Sequence, residues 1–481
     1  MPSSSISAPV SRAEFPVVLL HCIATLILIF FSPILSSISV KQAHSAEQSR
    51  VPNIVLILTD DHGYGDVSTY RASDVRTPQI DRLAADGMLF TNMRSTCTVC
   101  SPARAALLTG RFPDRVGVPG VIRTEKDNSW GYLDPTVPTL ADELQKASYH
   151  TAIIGKWHLG LESPNTPNER GFDLFRGFLG DMMDSYSSHL RHGHNYMRHN
   201  DEVITPAGHA TELFTNWACD YLRVRADSKD QPFFLYLAYN APHFPIEPPA
   251  EWLEKVKQRL PNLDDKRMKN VAFVEHLDHN IGRVLSVLRE TQLARQTLVV
   301  FTSDNGGSLP HGQNNDPWRD GKQSHYDGGL RVPFVASWPE RIKSGTRSDY
   351  AGLTFDLFPT LLELAGRPRS TDLDAISLAP LFRGETMPAS RDLYFVRREG
   401  GPEYGGKSYE ALIRGDWKLM QNSPFSPYEL YNLKDDPYEK INLATTNKKV
   451  VNDLSASLRG HIQRGGSVPW QKPISNAASA R

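Results

Sequence analysis

Residues 100–111 read Cys-Ser-Pro-Ala-Arg-Ala-Ala-Leu-Leu-Thr-Gly-Arg, and this order predicts a short helix. Pro102 is tolerated in a first helical turn, the alanines and leucines after it are good helix formers, and Gly110 can end the helix. Cys100 is therefore expected at or just before the helix N-terminus, where free backbone N–H groups and the helix dipole favour an anion. The alternative is a buried helix in which the cysteine is only a small hydrophobic side chain.

Apolar runs of strand length alternate with helix-like stretches along the chain. The predicted strands are Asn53 to Thr59, Thr151 to Ile154, Phe233 to Tyr239 and Thr297 to Thr302, and the predicted helices are Gln79 to Asp86, Thr139 to Lys146 and Lys269 to Thr291. This alternation is typical of an α/β protein with a large, mostly parallel sheet between helices. After residue 385 the pattern changes to that of a smaller α+β subdomain, with predicted elements at Leu393 to Arg397, Ala411 to Arg414, Lys418 to Met420 and Asn447 to Gln463.

Polar residues follow the predicted strands, at the edge where ligands bind in parallel sheets. Four of them offer only oxygen ligands, three of these anionic: Asp60, Asp61, Asp304 and Asn305. Such a set suits a hard divalent cation better than zinc. The neighbouring carboxylates of Asp60 and Asp61 would repel each other in a dry pocket unless a cation or a proton lay between them. Taken alone, an Asp-Asp pair after a strand is more often a turn or a helix cap.

The charge balance and the N-terminus limit the partners and the compartment. The 481 residues include 53 Lys and Arg against 54 Asp and Glu, so the chain has no basic surplus for a nucleic-acid backbone and no nucleic-acid partner is expected. The apolar run from Val17 to Val40 favours a secretory signal peptide over an uncleaved membrane anchor. No later stretch is long and apolar enough to span a membrane, so no stable membrane partner is expected. The predicted organisation is a signal peptide at 1–46, a main domain at 47–385 and the C-terminal subdomain at 386–481.

The cysteine count points to one unusual side chain. Cys22 lies in the leader, which leaves Cys97, Cys100 and Cys219 in the mature chain. An odd number of cysteines outside the cytoplasm usually implies a reactive thiol or a modified residue, which fits consumption of Cys100. Cys97 and Cys219 are then free or paired with each other. Cys97-x-x-Cys100 could also be a redox or zinc pair, although only one further cysteine exists to complete a zinc site.

Several segments together resemble the sulfatases, the formylglycine-dependent, arylsulfatase-like family of the alkaline-phosphatase-like superfamily. The most specific is Cys100-x-Pro102-x-Arg104 with its continuation Ala-Ala-Leu-Leu-Thr-Gly-Arg. The other segments are Gly155-Lys-Trp-His-Leu-Gly160, Ala241-Pro-His-Phe-Pro245, Ser303-Asp-Asn-Gly-Gly307, Gly321-Lys-Gln-Ser-His-Tyr-Asp-Gly-Gly329 and Glu429 to Glu439. The resemblance covers most of residues 50 to 445. It implies an alkaline-phosphatase-like fold and makes the main domain a sulfatase catalytic domain.

The resemblance also implies a modified residue, a metal ion and a set of roles. Cys100 is oxidised to formylglycine (3-oxoalanine) by a maturation enzyme, and the hydrated aldehyde attacks sulfur. Calcium is held by Asp60, Asp61, Asp304, Asn305 and an oxygen of modified Cys100. Arg104 and Lys156 stabilise the reacting oxygens, and His158 takes the proton that lets the hydrate collapse. His243 and Lys322 hold sulfate and protonate the leaving oxygen.

Other features bear on the substrate. Asp327 replaces the glutamate more usual in the family, which changes the local loop geometry. The segment His189 to His199 is expected to be a polar loop rather than a metal site. Together with further polar and aromatic side chains it is expected to line the substrate entrance: Arg123, Trp130, Tyr132, Asp181, Tyr186, His311, Trp318 and Arg319. The stretch Arg170 to Ser188 resembles sulfatases that act on N-acetylgalactosamine sulfates.

The sequence thus predicts an exported, periplasmic or secreted, calcium-dependent sulfatase. Its expected substrate is a sulfate monoester, in particular a sulfated carbohydrate such as an N-acetylgalactosamine or galactose sulfate, and its expected partners are this substrate and the maturation enzyme. One alternative is a phosphoesterase or phosphonate monoester hydrolase of the same superfamily. Another is a catalytically dead protein that binds sugar sulfates.

Overall fold

The structure, a computed structural model, describes residues 51–70, 72–228, 230–339, 341–368, 372–387, 391–400 and 408–473. The predicted signal peptide at 1–46 lies outside the described residues. Within them, no helix combines the length and the apolar character needed to cross a bilayer.

The strands of the described residues are β1 (Asn53–Thr59), β2 (Met88–Phe90), β3 (Met93–Arg94), β4 (His150–Lys156), β5 (Leu174–Phe178), β6 (Leu190–Arg191), β7 (His194–Asn195), β8 (Met197–His199), β9 (Glu202–Val203), β10 (Phe233–Ala238), β11 (Thr297–Ser303), β12 (Phe334–Ser337), β13 (Thr346–Ser348), β14 (Gly352–Leu353), β15 (Leu393–Arg398), β16 (Ser408–Arg414), β17 (Trp417–Gln421) and β18 (Glu429–Asn432). The α-helices are α1 (Pro78–Ala85), α2 (Cys100–Thr109), α3 (Leu140–Gln145), α4 (Ala210–Ala226), α5 (Ala250–Arg259), α6 (Asp265–Glu290), α7 (Asp327–Leu330), α8 (Leu357–Leu364), α9 (Ala379–Phe382) and α10 (Lys448–Gly465).

Ten of these strands form one sheet, in the order β13-β2-β12-β11-β1-β10-β4-β5-β8-β9. The five central strands, from β11 to β5, are parallel to one another. Antiparallel pairs occur towards both edges, where β12 pairs with β11 and β8 with β5. The predicted large, mostly parallel sheet is confirmed, and its edges are mixed.

The central strand β1 shows why this sheet is buried on both faces. Ile54, Leu56 and Leu58 pack into one hydrophobic cluster, and Val55 and Ile57 pack into another. Successive side chains of a strand point to opposite faces, so a continuous apolar run supplies both layers at once. Helices cover each face, and the polar residues after each strand are left at the edge of the sheet.

The helix at residues 100–111 forms as its sequence predicts. It begins at Cys100 and ends at Thr109, and Gly110 caps it with a φ of 66°. A side chain at Gly110 would contact the ring of Phe358 at 2.8 Å. Glycine therefore meets both the backbone conformation and the close approach at this position.

The C-terminal part forms a separate antiparallel sheet, β15-β16-β17-β18. Its apolar residues share one cluster with Ala106 of α2, with Phe112 and Phe355, and with Leu454 and Leu458 of α10. This small α+β unit therefore packs directly against the helix that begins at Cys100.

Candidate active site

Loops after four neighbouring strands meet at the carboxyl edge of the sheet. Asp60 and Asp61 follow β1, Lys156 ends β4, His243 follows β10, and Asp304 follows β11. The loops are joined by hydrogen bonds, because the amide of Asp61 donates to Oδ1 of Asp304 and the amide of Asp60 donates to the carbonyl of Ala241. The predicted convergence is observed.

Two residues of these loops have a strained backbone. Asp61 and His158 both have a φ of 60°, in the left-handed region that side chains other than glycine rarely adopt. Each such residue costs on the order of 1–3 kcal/mol and persists where surrounding contacts impose it. The strain therefore lies on two of the residues predicted to be functional.

Cys100 lies at the start of α2 and is 3 % exposed. Its Sγ is 3.2 Å from Oδ1 of Asp60 and 4.0 Å from Oδ1 of Asp61. Burial, followed by the charge of Asp60, raises the pKa of the Cys100 thiol well above its usual range. The encoded side chain is therefore a protonated thiol that donates to a carboxylate.

A metal ion fits the carboxylate cluster around Cys100. Single ligand atoms of Asp60, Asp61, Cys100 and His243 lie within 4.8 Å of one another. Asn305 lies against the same cluster, since its Nδ2 donates to Oδ1 of Asp61 at 2.7 Å, and its buried Oδ1 has no hydrogen-bond partner in the described residues. A buried oxygen without a partner is costly, and together with neighbouring carboxylates it meets the preference of a hard cation.

Arg104 holds two of the predicted metal ligands in place. Its Nε and Nη2 donate to Oδ2 of Asp304 at 2.9 and 2.8 Å, and Nη2 lies 3.7 Å from Oδ2 of Asp60. Burial and the charge of Asp60 raise the pKa of Asp304 to about 7, although Arg104 opposes this shift. Burial alone would raise the pKa of Asp60 too, but Lys156 and other nearby cationic groups bring it well below its usual value.

Lys156 and His158 lie on the same side of the cluster. Nζ of Lys156 donates to Oδ2 of Asp60 at 2.5 Å. His158 Nε2 lies 2.7 Å from the carbonyl oxygen of Ile122, so this nitrogen carries the hydrogen and Nδ1 is the basic nitrogen. Nδ1 is buried without a partner in the described part of the chain. Burial, followed by the charge of Lys156, lowers the pKa of His158 well below its usual value.

His243 and Lys322 form a hydrogen-bonded pair on the opposite side. Nζ of Lys322 lies 3.0 Å from Nε2 of His243 and donates to Oδ2 of Asp61 at 2.7 Å. Nδ1 of His243 donates to the carbonyl of Phe244 at 2.6 Å, which leaves Nε2 as an acceptor. Burial and the charge of Lys322 lower the pKa of His243 to about 4, whereas the anionic neighbours of Lys322 outweigh its burial and raise its pKa.

Asp327 belongs to a buried ion-pair network that sequence reasoning missed. Its carboxylate accepts from Nη2 of Arg94 at 2.6 Å, from Nε of Arg331 at 2.8 Å and from Nζ of Lys418 at 3.0 Å. Lys418 also lies 2.6 Å from Oε1 of Glu439, and Oε2 of Glu439 accepts from the amide of Asp327. A lysine as the second residue of the short strand β17, directly before Leu419 and Met420, was the available signal. The short aspartate side chain reaches three cations here, and the network connects the Lys322 loop to the C-terminal sheet.

The segment His189 to His199 is more ordered than a polar loop. It contains the paired strands β6 and β7 and then β8. Asp181 and His189 support it, since Asp181 accepts from Nε of Arg191 at 3.1 Å and His189 contacts the carbonyl of Gly208 at 2.9 Å. The described residues contain one group of three or more His, Cys, Asp and Glu side chains that could hold a metal, and it is the group at Cys100.

The other residues predicted at the substrate entrance have two kinds of surroundings. Tyr186 is buried behind His243 and donates to its carbonyl at 3.0 Å, and Trp318 lies under the guanidinium of Arg331. The ring of His311 stacks on Phe244 at 4.3 Å.

Arg319 is likewise tied to the C-terminal part, where it contacts the carbonyl of Glu439. Arg123 pairs with Glu399 at 2.7 Å, and Trp130 stacks on Trp470. Tyr132 is half-buried on the loop that also carries Arg123 and Trp130. Part of the predicted entrance is therefore structural, and Arg123, Trp130 and His311 are partly buried.

The three described cysteines are free. Cys97, Cys100 and Cys219 are all buried, and none forms a disulfide. Burial raises the pKa of Cys97 to about 12, so this residue is an inert thiol and Cys97-x-x-Cys100 does not form an oxidised redox pair.

The chain matches two family models. The sulfatase model covers residues 52–367, and the model described as N-sulphoglucosamine sulphohydrolase, C-terminal, covers residues 316–464. The first match includes all of the predicted metal ligands and catalytic residues, from Asp60 to Lys322.

Individual relatives agree with these models. The chain is 33 % identical over 390 residues to N-acetylgalactosamine-6-sulfatase of Canis lupus familiaris, covering 76 % of this chain and 71 % of that protein. It is 34 % identical to arylsulfatase A of Homo sapiens, covering 82 % of this chain and 84 % of the relative.

A solved structure shares both the fold and part of the sequence. The crystal structure of Ps i-CgsB in complex with k-i-k-neocarrahexaose superposes with a TM-score of 0.80 at 30 % identity, covering 88 % of this chain and 96 % of that one. The α/β sheet, the converging strand ends and these matches agree, and the chain belongs to the sulfatase family of sulfuric ester hydrolases.

Proposed function

We propose that this chain removes sulfate from a sulfated carbohydrate, such as an N-acetylgalactosamine or galactose sulfate, with Cys100 converted to formylglycine and calcium bound beside it. The observation that carries the proposal is the environment of Cys100. Its Sγ lies 3.2 and 4.0 Å from the carboxylates of Asp60 and Asp61. Three cationic side chains contact those carboxylates in turn. A monoanionic sulfate ester is matched by such an excess of cations once a metal ion neutralises the carboxylates.

Asp60, Asp61, Asp304 and Asn305 are the residues that would hold the calcium ion. All four are nearly or fully buried and offer oxygen donors, and the partnerless Oδ1 of Asn305 supports this assignment. A bound divalent cation supplies positive charge for the sulfuryl oxygens. Arg104 orients Asp304 through two hydrogen bonds and so keeps this ligand from turning away.

Modification of Cys100 explains why the site is built around a cysteine. Formylglycine supplies an oxygen nucleophile from its hydrate, and its second hydroxyl permits release of the product, which a thiol or serine adduct would not. A formylglycine-generating maturation enzyme is the partner that this chemistry requires. Peptide mass analysis of the active protein tests the assignment, because formylglycine is lighter than the encoded cysteine and an untouched thiol would contradict it.

The two histidines are suited to different proton transfers. His243 and Lys322 share a hydrogen bond at 3.0 Å, and this pair can deliver a proton to the departing alkoxide oxygen. Nδ1 of His158 is free to accept a proton, since Nε2–H is held by the carbonyl of Ile122. Positioned acids and bases of this kind contribute about 10²- to 10⁴-fold each.

Sulfate release tests the function. Matured protein is assayed with 4-nitrocatechol sulfate, 4-nitrophenyl phosphate and a panel of sulfated sugars that includes N-acetylgalactosamine 6-sulfate, galactose 6-sulfate and carrageenan oligosaccharides. We expect the aryl sulfate to be cleaved faster than the aryl phosphate. We also expect Cys100→Ala to abolish turnover, whereas Cys97→Ala, a change in the same loop, preserves it.

The two alternatives give different results in the same assay. Faster cleavage of the phosphate would identify a phosphoesterase or phosphonate monoester hydrolase. Binding of a sugar sulfate without turnover by the matured protein would identify a catalytically dead binder.

The proposed compartment is the periplasm or the cell exterior, and its support is the apolar run from Val17 to Val40 behind Arg12. An exported protein meets its carbohydrate substrate outside the cytoplasm. N-terminal sequencing of the protein from the producing cell tests this: a start near residue 47 supports cleavage, and a start at Met1 or shortly after it contradicts cleavage.

A further inference from the structure

A cavity of about 380 Å³ lies at the junction between the main domain and the C-terminal part. Its volume is within the ~300–1,000 Å³ range of small-molecule sites. Its wall includes two aromatic rings and four polar side chains: Trp130, Trp470, Asp114, Arg398, Glu399 and Ser408. None of these residues takes part in the chemistry proposed above.

The aromatic wall is built from two distant parts of the sequence. The rings of Trp130 and Trp470 stack at 5.2 Å with an interplanar angle of 14°. Trp470 belongs to the tail after α10, and this tail is held on the main domain by an ion pair of 2.7 Å between Lys472 and Glu162. Gly400 lines the cavity where a Cβ would lie 2.7 Å from the Trp130 ring. Both rings are only partly buried and both line the cavity, so part of its wall is apolar.

The charges of the wall are already balanced. Arg398 lies 3.3 Å from Asp114 and 3.0 Å from Glu410. Glu399 pairs with Arg123 at 2.7 Å and with Arg397 at 3.1 Å. With each charged group of the wall opposed by another, the cavity offers no excess cation for a second sulfate. Aromatic rings beside fixed polar groups suit an uncharged, hydroxyl-bearing ring, because the ring carbons pack on the exposed parts of the indoles while the hydroxyls reach the polar groups.

The cavity is linked to the reaction centre by one short segment. Val121 donates its amide to Oε1 of Glu399 at 3.4 Å. The next residue, Ile122, accepts a hydrogen bond from His158 at 2.7 Å through its carbonyl and donates its amide N–H to Oγ of Ser101 at 3.1 Å. The wall of the cavity is thus connected to His158 through two consecutive residues.

We propose that this cavity is a subsite for an uncharged sugar unit of the same oligosaccharide, with Trp470 as its specificity-determining residue. The inference rests on the proposed function, since it assumes a sulfated carbohydrate as substrate. It goes further by assigning an extended oligosaccharide rather than a single sugar sulfate. The tail that carries Trp470 thereby takes part in substrate selection.

The test compares three substrates with matured wild-type protein and two variants. The substrates are 4-nitrocatechol sulfate, the sugar sulfate cleaved fastest in the panel above, and an oligosaccharide that carries this sugar at one end. Wild-type protein should show a higher kcat/KM for the oligosaccharide than for the single sugar. Trp470→Ala should raise KM for the oligosaccharide at least five-fold and leave kcat unchanged, with no change for the two small substrates.

Phe425→Ala is the matched control. It removes an aromatic ring of the C-terminal part that is 98 % exposed and does not line the cavity, so all three substrates should behave as with wild-type protein. Equal wild-type kcat/KM values for the single sugar and the oligosaccharide would overturn the proposal. An unchanged oligosaccharide KM in Trp470→Ala would do so too, as would an equal change for all three substrates. Failure to cleave 4-nitrocatechol sulfate at all would instead contradict the proposed function.

Discussion

Nζ of Lys322 lies 3.0 Å from Nε2 of His243, on the side of the carboxylate cluster opposite His158. Their pKa values shift in opposite directions, because burial and the lysine charge lower the pKa of His243 to about 4, while nearby anions raise that of Lys322 above its usual value. The lysine is therefore the protonated member of the pair, and the histidine accepts its hydrogen bond.

Lys322→Met should lower kcat in a way that depends on the leaving group. A lost proton donor matters most for a poor leaving group, so the decrease should approach about 10²- to 10⁴-fold for a sugar sulfate and be much smaller for a nitrophenyl sulfate. Steady-state kinetics with a series of aryl sulfates of different phenol pKa measures this dependence. The exposed Lys343→Met serves as the control, and equal losses for all leaving groups would contradict the role.

His158→Ala should slow a step that follows departure of the alcohol. The free Nδ1 of His158 is assigned to accept a proton late in the cycle. A rapid burst of about one equivalent of nitrocatechol per active site should therefore persist, followed by steady turnover reduced by about 10²-fold or more. Stopped-flow absorbance measures both phases, with the exposed His279→Ala as reference. A burst slowed in proportion to the steady rate argues against this assignment.

Calcium should stabilise the folded protein even without activity. The neighbouring carboxylates of Asp60 and Asp61 are buried, and a ligand that binds only the native state stabilises it by mass action. Calcium in millimolar excess should raise Tm by several degrees over protein treated with a chelator, and Asp61→Asn should reduce this difference. Differential scanning fluorimetry measures it on unmatured protein, and identical Tm values with and without calcium would exclude the site.

Lys418→Met should destabilise the protein rather than alter its chemistry directly. The substitution leaves Asp327 and Glu439 with less compensation in a buried site, and breaking such a pair costs about 3–5 kcal/mol. Denaturant unfolding measures the loss against Lys434→Met, an exposed lysine of the same subdomain. A free energy of unfolding within about 1 kcal/mol of the control's would mean that the network contributes little.

His276 should make the protein sensitive to mild acid. It is 1 % exposed and lies 3.3 Å from Glu212, and burial lowers its pKa to about 3, whereas an unfolded histidine has a pKa of about 6.5. Between these values the unfolded chain binds the extra proton, so the free energy of unfolding should fall as pH decreases below about 6.5, by up to about 1.4 kcal/mol per pH unit.

His276→Gln should flatten this decrease between pH 6 and pH 4.5, and the exposed His194→Gln should leave it as in the wild-type protein. Urea unfolding at a series of pH values provides the comparison. A slope that His276→Gln does not change would place the acid sensitivity elsewhere.

Local physical chemistry explains how well particular elements could be predicted. The predicted strand from Asn53 to Thr59 has the same first and last residues as β1. The helix that begins at Cys100 is capped by Gly110, as predicted. In both cases the evidence is contained in neighbouring residues, as apolar continuity or as a proline and a glycine at the two ends of a helix. The polar residues after the strands could be placed at one edge because parallel strands share their direction.

The hydrogen-bond partners could not be predicted in this way. The bond between His158 and Ile122, the support of His243 by Tyr186 and the pairing of Lys418 with Asp327 and Glu439 join residues far apart in the sequence. A lysine within an apolar strand marks Lys418 as unusual, but the local pattern does not identify its partners, and it does not distinguish Tyr186 from an ordinary tyrosine.

The sequence by itself thus determined the alternation of strands and helices, the position of Cys100 at a helix N-terminus and the types of residue at the sheet edge. Only the tertiary structure decided which carboxylate faces which cation, which histidine nitrogen is free and how the tail with Trp470 meets Trp130. The physical reason is that propensity and hydrophobic period act over a few residues, whereas hydrogen bonds and charge pairs depend on atoms that folding alone brings within about 3 Å of each other.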